Sequence, residues 1–113
     1  MALHENMKSA KILGEVMDYL LEKGYKKIDS SMEISEAETT IKVIVHTNDV
    51  SLSEQFSEDL YCCRDVELEE YGWELSNDIS YACSLDTLGM LIDTFEISED
   101  NEQCTIILHR LKR

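Results

Sequence analysis

Proline is absent from the sequence, and its four glycines (Gly14, Gly24, Gly72 and Gly89) are isolated from one another. The first absence excludes collagen-like and proline-rich architectures. The second excludes a phosphate-binding loop, which needs glycines clustered where backbone wraps an anion. No apolar run approaches the ~20 residues that span a bilayer. Residues 1–6 lack the charged-then-apolar pattern of a secretory leader. Basic residues are scarce: Lys and Arg total 10 against 24 Asp and Glu, a net charge of −14. Binding nucleic acid or an anionic membrane surface takes clustered Lys and Arg, so neither is expected as a partner. Catalytic signatures are missing too. There is no G-x-S-x-G nucleophile elbow, no C-x-x-C pair and no Asp-x-Asp calcium loop.

What is present is a chain of 113 residues, 43% hydrophobic and 30% charged. That length and composition suit one domain, residues 1–113, built on one core. The acidity is uneven. Residues 49–102 hold sixteen carboxylates against a single basic residue, Arg64. Such a surface keeps a protein soluble and can steer a basic partner towards it.

The four cysteines, Cys62, Cys63, Cys83 and Cys104, have no zinc-ligand spacing. Without a secretory leader they are expected as reduced, mostly buried thiols in a cytoplasmic protein. No metal and no cofactor is expected.

Helical spacing runs from residue 7 to 23, with Met7, Ala10, Leu13, Val16, Met17, Leu20 and Leu21 predicted inward. Lys8, Lys11, Glu15, Asp18 and Glu22 are predicted outward. Gly24 follows as a C-terminal cap, with Tyr25 folding back on the last turn. Residues 27–35 and 39–46 then alternate with period two, which predicts an antiparallel hairpin across Ser35–Glu38. Ser51 and Glu54 match a capping box and predict a helix over 52–63. Asp65 and a weaker stripe predict a short helix over 66–75. Asp78 and Ser84 are further cap candidates, and Leu85, Leu88, Leu91 and Ile92 predict another helix. A second hairpin is predicted from Phe95 and Ile97 through a turn at 99–102 into a strand over 103–111. Met32–Glu36 and Phe95–Glu99 are similar, which hints at two helix–hairpin units. Gly14 and Gly89 fall inside predicted helices, where close packing would offset their low helix propensity.

The fold class expected is α+β: a four-stranded antiparallel sheet of two helix–hairpin units, with helices on one face. Its other face would carry Lys42, Ile44, His46, Ile107 and His109, a mixture of apolar and polar side chains. These five are the candidate interaction residues. Trp73 is a separate candidate anchor, since tryptophan is enriched at interface hot spots.

Glu70-Tyr71-Gly72-Trp73-Glu74-Leu75 and Ser84-Leu85-Asp86-Thr87-Leu88-Gly89-Met90-Leu91-Ile92-Asp93 resemble a group of small acidic bacterial proteins of uncharacterised function. The resemblance covers the C-terminal half. It implies a bacterial cytosolic domain and assigns no site. The helix–hairpin plan also resembles that of histidine-kinase-like ATP-binding regulators, but their Asp-x-Gly-x-Gly nucleotide motif is missing here.

These features point to a non-enzymatic regulatory or protein-interaction module that self-associates as a homodimer. One rival is a small enzyme or ligand carrier with a pocket between helices and sheet. Another is an acidic docking surface for a basic protein.

Overall fold

The structure is a computed structural model, and it describes residues 5–60 and 85–112. Its elements are α1 (Glu5–Glu22), β1 (Ile28–Ile34), β2 (Glu38–Val45), α2 (Ser51–Asp59), α3 (Leu85–Leu91), β3 (Thr94–Asp100) and β4 (Gln103–Leu111). The strands form one antiparallel sheet in the order β1-β2-β4-β3. Each hairpin therefore contributes its second strand to the centre and its first to an edge. The α+β class, the four strands and the two hairpins are as the alternation predicted. The expected helix over 66–75, with its cap Asp65, lies outside the described residues, as do Asp78, Ser84, Trp73, Cys62, Cys63 and Cys83. No described helix is long and apolar enough to cross a membrane.

Period-two alternation decides which side of the sheet is buried. On the central strands Ile41, Val43 and Val45 and Cys104, Ile106 and Leu108 all point to the helices and are buried. Ile12, Val16, Tyr19 and Leu20 of α1, Leu52 and Phe56 of α2, and Leu85, Leu88 and Leu91 of α3 complete this core. Phe56 joins its parts. Its ring lies edge-on to Tyr19 at 5.6 Å and to Phe95 at 5.9 Å, the geometry that aromatic quadrupoles favour.

Local signals explain the ends of α1 and the first turn. Gly24 has φ +96°, a left-handed conformation that costs a side-chain-bearing residue energy. It lets Gly24 N–H bond the Leu21 carbonyl and Tyr25 N–H bond the Leu20 carbonyl, the paired bonds of a Schellman cap. Between β1 and β2 the loop is Glu36–Ala37. Ser35 Oγ accepts from the amides of Ala37 and Glu38, which replaces the Asn-Gly chemistry that the sequence lacks.

Four readings change. The buried face of α1 is Lys8, Ser9, Ile12, Val16, Tyr19 and Leu20, whereas Met7 and Leu21 are 53% and 56% exposed. Apolar residues occupy so wide an arc of this helix that periodicity alone does not choose its centre. A polar contact helps to choose it. Arg110 of β4 shares the parity of Cys104, Ile106 and Leu108 and is buried like them, and its guanidinium grips Glu5 on α1. Gly14 meets nothing within 4 Å of an added Cβ, so it is not a close-packing glycine; Gly89 is buried.

The capping box also does not form. Val50 occupies the cap position of α2 and makes no side-chain cap bond. Asp49 Oδ1 instead accepts from the Ser51 amide at 3.0 Å and the Ser51 hydroxyl at 2.6 Å. The likeness between Met32–Glu36 and Phe95–Glu99, finally, is out of phase with the pairing. Met32 pairs with Ile41, but it is Ile97, not Phe95, that pairs with Ile106. The two hairpins match in topology, with the short sequence match displaced by two residues.

Candidate functional site

The second face of the sheet is built by the residues of opposite parity. Register places them in rows across the strands: Asp29–Ile44–Thr105–Ser98, Ser31–Lys42–Ile107–Glu96, and Glu33–Thr40–His109–Thr94. Lys42 is exposed, and Ile44, His46, Ile107 and His109 are half-buried. The structure thus brings all five candidates of the sheet together on one face, four of them on the facing rows of β2 and β4. His46 sits just past the end of β2, where its amide bonds the Lys27 carbonyl.

Both histidines are held by carboxylates from neighbouring strands. His46 Nε2 lies 2.6 Å from Asp29 Oδ2 of β1. His109 Nε2 lies 2.8 Å from Glu96 Oε2 of β3, and its Nδ1 lies 3.5 Å from Glu38 Oε2 of β2. Opposite nitrogens of His109 meet different carboxylates, so Glu38 and Glu96 bracket the ring rather than converge with it on one point. That arrangement suits hydrogen bonding and charge exchange, not metal ligation. Among the described residues no group of three or more His, Cys, Asp and Glu could hold a metal ion. Neither the imidazole–carboxylate pairs nor their partners Asp29, Glu38 and Glu96 were singled out from the sequence. The signal for them is register, and no turn motif specified it.

Two clefts open at the end of the sheet where β2 leaves for α2 and β3 turns into β4. One, of about 330 Å³, is lined by Thr47, Asn48, Asp49, Val50, Glu99, Asp100, Asn101, Gln103 and Cys104. Its neighbour, of about 400 Å³, is lined by Lys27, His46, Thr47, Asn48, Glu102 and Gln103. Asp49 is already engaged. Bonds from the side chain and amide of Ser51, then from the Tyr25 hydroxyl, hold its carboxyl below the usual range and keep it ionised. Burial, followed by the charge of Glu99, pushes the Cys104 thiol up to about 11, which suppresses the reactive thiolate. Neither group is poised near neutrality, as a general acid or base has to be.

A family-model scan, a search of curated proteins and a search of solved structures each find no match to this chain.

Proposed function

We propose that this is a non-enzymatic protein-interaction module, cytoplasmic and of bacterial type, that self-associates through the open face of its sheet. The observation that carries the reading is the gathering of Lys42, Ile44, His46, Ile107 and His109 on that one face. Ile44 and Ile107 supply an apolar centre. Lys42 sits beside both, opposite Ile107 and two residues from Ile44 on β2, and carboxylates stand on both flanking strands (Asp29, Glu33 and Glu96). A two-fold contact sets the same patch against itself, so a patch needs both charge signs to be self-complementary. Here Lys42 lies on a central strand and the carboxylates on the edge strands, so a two-fold stack sets like charge against like, and the attraction rests on Ile44 and Ile107.

Size sets the strength. Four strands ~4.8 Å apart and seven to nine residues long outline an area of roughly 500 Å². A standard stable interface buries ~800 Å² per partner. The contact is therefore expected to be weak and reversible unless loops at the rim join it. Trp73, the separate anchor candidate, belongs to the segment outside the described residues.

Native mass spectrometry and sedimentation velocity over a concentration series test the proposal. The expected result is a concentration-dependent dimer that Ile44→Asp with Ile107→Asp converts to monomer, because the substitutions place unpaired carboxylates in the contact. An oligomer unchanged by them overturns the proposal. A monomer that binds basic proteins in a salt-sensitive way transfers support to the acidic docking surface, and a retained small-molecule mass transfers it to the ligand carrier.

A further inference from the structure

We infer that the free edge of β1 is a contact between two copies of this chain, pairing β1 with β1 antiparallel about a two-fold axis at Ser30. The contact lies on a different surface from the open face and does not rest on that reading. It begins with the backbone. The Lys27 carbonyl accepts from the His46 amide, and the Ser35 amide donates to the Glu38 carbonyl, both in the register of the strand itself. In an antiparallel pair every second residue turns its N–H and C=O to the neighbouring strand. The odd-numbered residues from Lys27 to Ser35 therefore bond β2, and Ile28, Ser30, Met32 and Ile34 turn theirs outward. β1 ends the sheet, and among the described residues no strand pairs with its outer side. The side chains leave this edge open. Ser30 and Ile34 are exposed even though they share the parity of Met32, which packs against the core.

An unpaired edge recruits other strands unless charge, proline or a bulge blunts it. The other edge, β3, is blunted. It carries Glu96, Glu99 and Asp100 with no basic residue, and Glu99 shares the parity of Phe95 and Ile97, which pack against the core. A second β3 would meet only like charge. The β1 edge carries both signs, with Lys27 at one end and Glu33 at the other, both exposed and both on the open-face parity. The pleat admits only registers in which outward-turned residues meet one another. Centring the axis on Asp29 or Glu33 sets that carboxylate against itself. Centring it on Ser31 sets Asp29 against Glu33, and centring it on Met32 matches no opposite charges. Centring it on Ser30 sets Lys27 against Glu33 of the second copy, at both ends of the pairing. It also sets Ile28 against Met32 on the helix side. The outward groups of Ile28, Ser30 and Met32 then exchange about six backbone hydrogen bonds, and two four-stranded sheets run on as one. Opposite charges directly across antiparallel strands attract and like charges repel, so charge selects the register while the backbone supplies the pairing.

One strand pair makes a weak contact, so the test is sedimentation velocity with protein up to ~1 mM. It is run on the wild type and on Ile44→Asp with Ile107→Asp, which removes the open face as a contact, and on Lys27→Glu and Glu33→Lys in each background. Either charge reversal alone sets like charges at both ends of the pairing. Each is expected to weaken association at least ~5-fold. An equimolar mixture of the two is expected to regain it, because in the mixed pair both end contacts are again between opposite signs. Amide exchange over the same concentrations is expected to slow at Ser30 and Met32 and to stay unchanged at Ser31, which is already bonded to β2. Both reversals fall on exposed side chains, and circular dichroism confirms that each variant is folded. Weakening by Lys27→Glu with tightening by Glu33→Lys is the response to net charge alone and overturns the edge contact. Association that disappears with the aspartate pair and ignores both reversals overturns the edge and leaves the open-face reading intact. Association that follows the reversals and ignores the aspartate pair supports the edge and overturns the open face. A wild type that is monomeric throughout overturns both.

Discussion

Arg110 holds Glu5 across the full length of the chain: Nε donates to Oε2 at 2.8 Å and Nη2 donates to Oε1 at 3.0 Å. A third bond, from Nη1 to the Leu91 carbonyl at 2.6 Å, satisfies the last turn of α3. One guanidinium therefore ties the first helix, the helix before β3 and the last strand together. The fork shape of arginine is what makes this possible, since lysine could not serve two oxygens and a carbonyl in one plane.

Arg110→Met is expected to destabilise the protein by about 3–5 kcal/mol, because it leaves the Glu5 carboxylate, largely buried, without its fork. Replacing both, Arg110→Met with Glu5→Leu, is expected to cost clearly less than the sum of the two single changes. Urea unfolding of the four proteins of this cycle measures the coupling. Additive losses would show that the pair is a bystander to the stability of this end of the fold.

How legible was this arrangement beforehand? The strands were, because a half-buried sheet imposes period two, and 103–111 carries it without interruption. The same parity marks Arg110 as inward, but its charge argues the other way, and its partner is more than a hundred residues distant in sequence. The rotation of α1 was hidden for the same reason. Its apolar arc is broad, and the contact with Arg110 that helps to set it is tertiary. The open face was legible as a set of side chains. The pairing of His46 with Asp29, and of His109 with Glu38 and Glu96, needed the register of three strands, which a two-residue turn of Glu36–Ala37 does not announce.

The two described glycines of the N-terminal unit should respond in opposite directions. Gly14 lies within α1 on an open surface, so Gly14→Ala is expected to stabilise by about 0.5–1 kcal/mol through helix propensity and a less disordered unfolded chain. Gly24 holds φ +96°, so Gly24→Ala is expected to destabilise by about 1–2 kcal/mol, even though nothing crowds the new Cβ. Thermal melts of both variants, read against wild type, decide it. A loss for Gly14→Ala would mean that the surface of α1 is covered.

Stability should fall on the alkaline side. Burial, then the hydrogen bond to Asp49, pushes the Tyr25 hydroxyl from its ordinary 10 up to about 12. Burial pushes Cys104 from 9 up to about 11. In both cases the folded state holds the proton more tightly than the unfolded chain does. Their contribution is therefore complete below about pH 9 and is lost as pH rises through 11 and 12. Urea midpoints measured from pH 8 to pH 12 are expected to be level at first and then to drop. Tyr25→Phe is expected to flatten the last part of that drop, between pH 10 and 12. A variant profile that parallels wild type throughout would assign the alkaline loss to other groups.

The start of α2 separates a sequence motif from the contact that replaces it. Ser51 and Glu54 have the spacing of a capping box, in which the serine accepts from the amide three residues on and the glutamate returns the bond. In the fold Ser51 is already inside the helix, and both its amide and its hydroxyl point back to Asp49. Asp49 in turn accepts from Tyr25 at 2.9 Å, so it fastens the helix start to the chain leaving α1. A carboxylate at this point also faces the positive end of the helix dipole. Asp49→Ala should therefore lower the urea midpoint and also remove the pull of Asp49 on Tyr25, bringing the phenol's titration back towards its ordinary value. Glu54→Gln should do neither. Ultraviolet titration of the tyrosines reads the second effect independently of the first. If Glu54→Gln proves the more damaging substitution, the capping box forms in solution and Asp49 is not the residue that starts the helix.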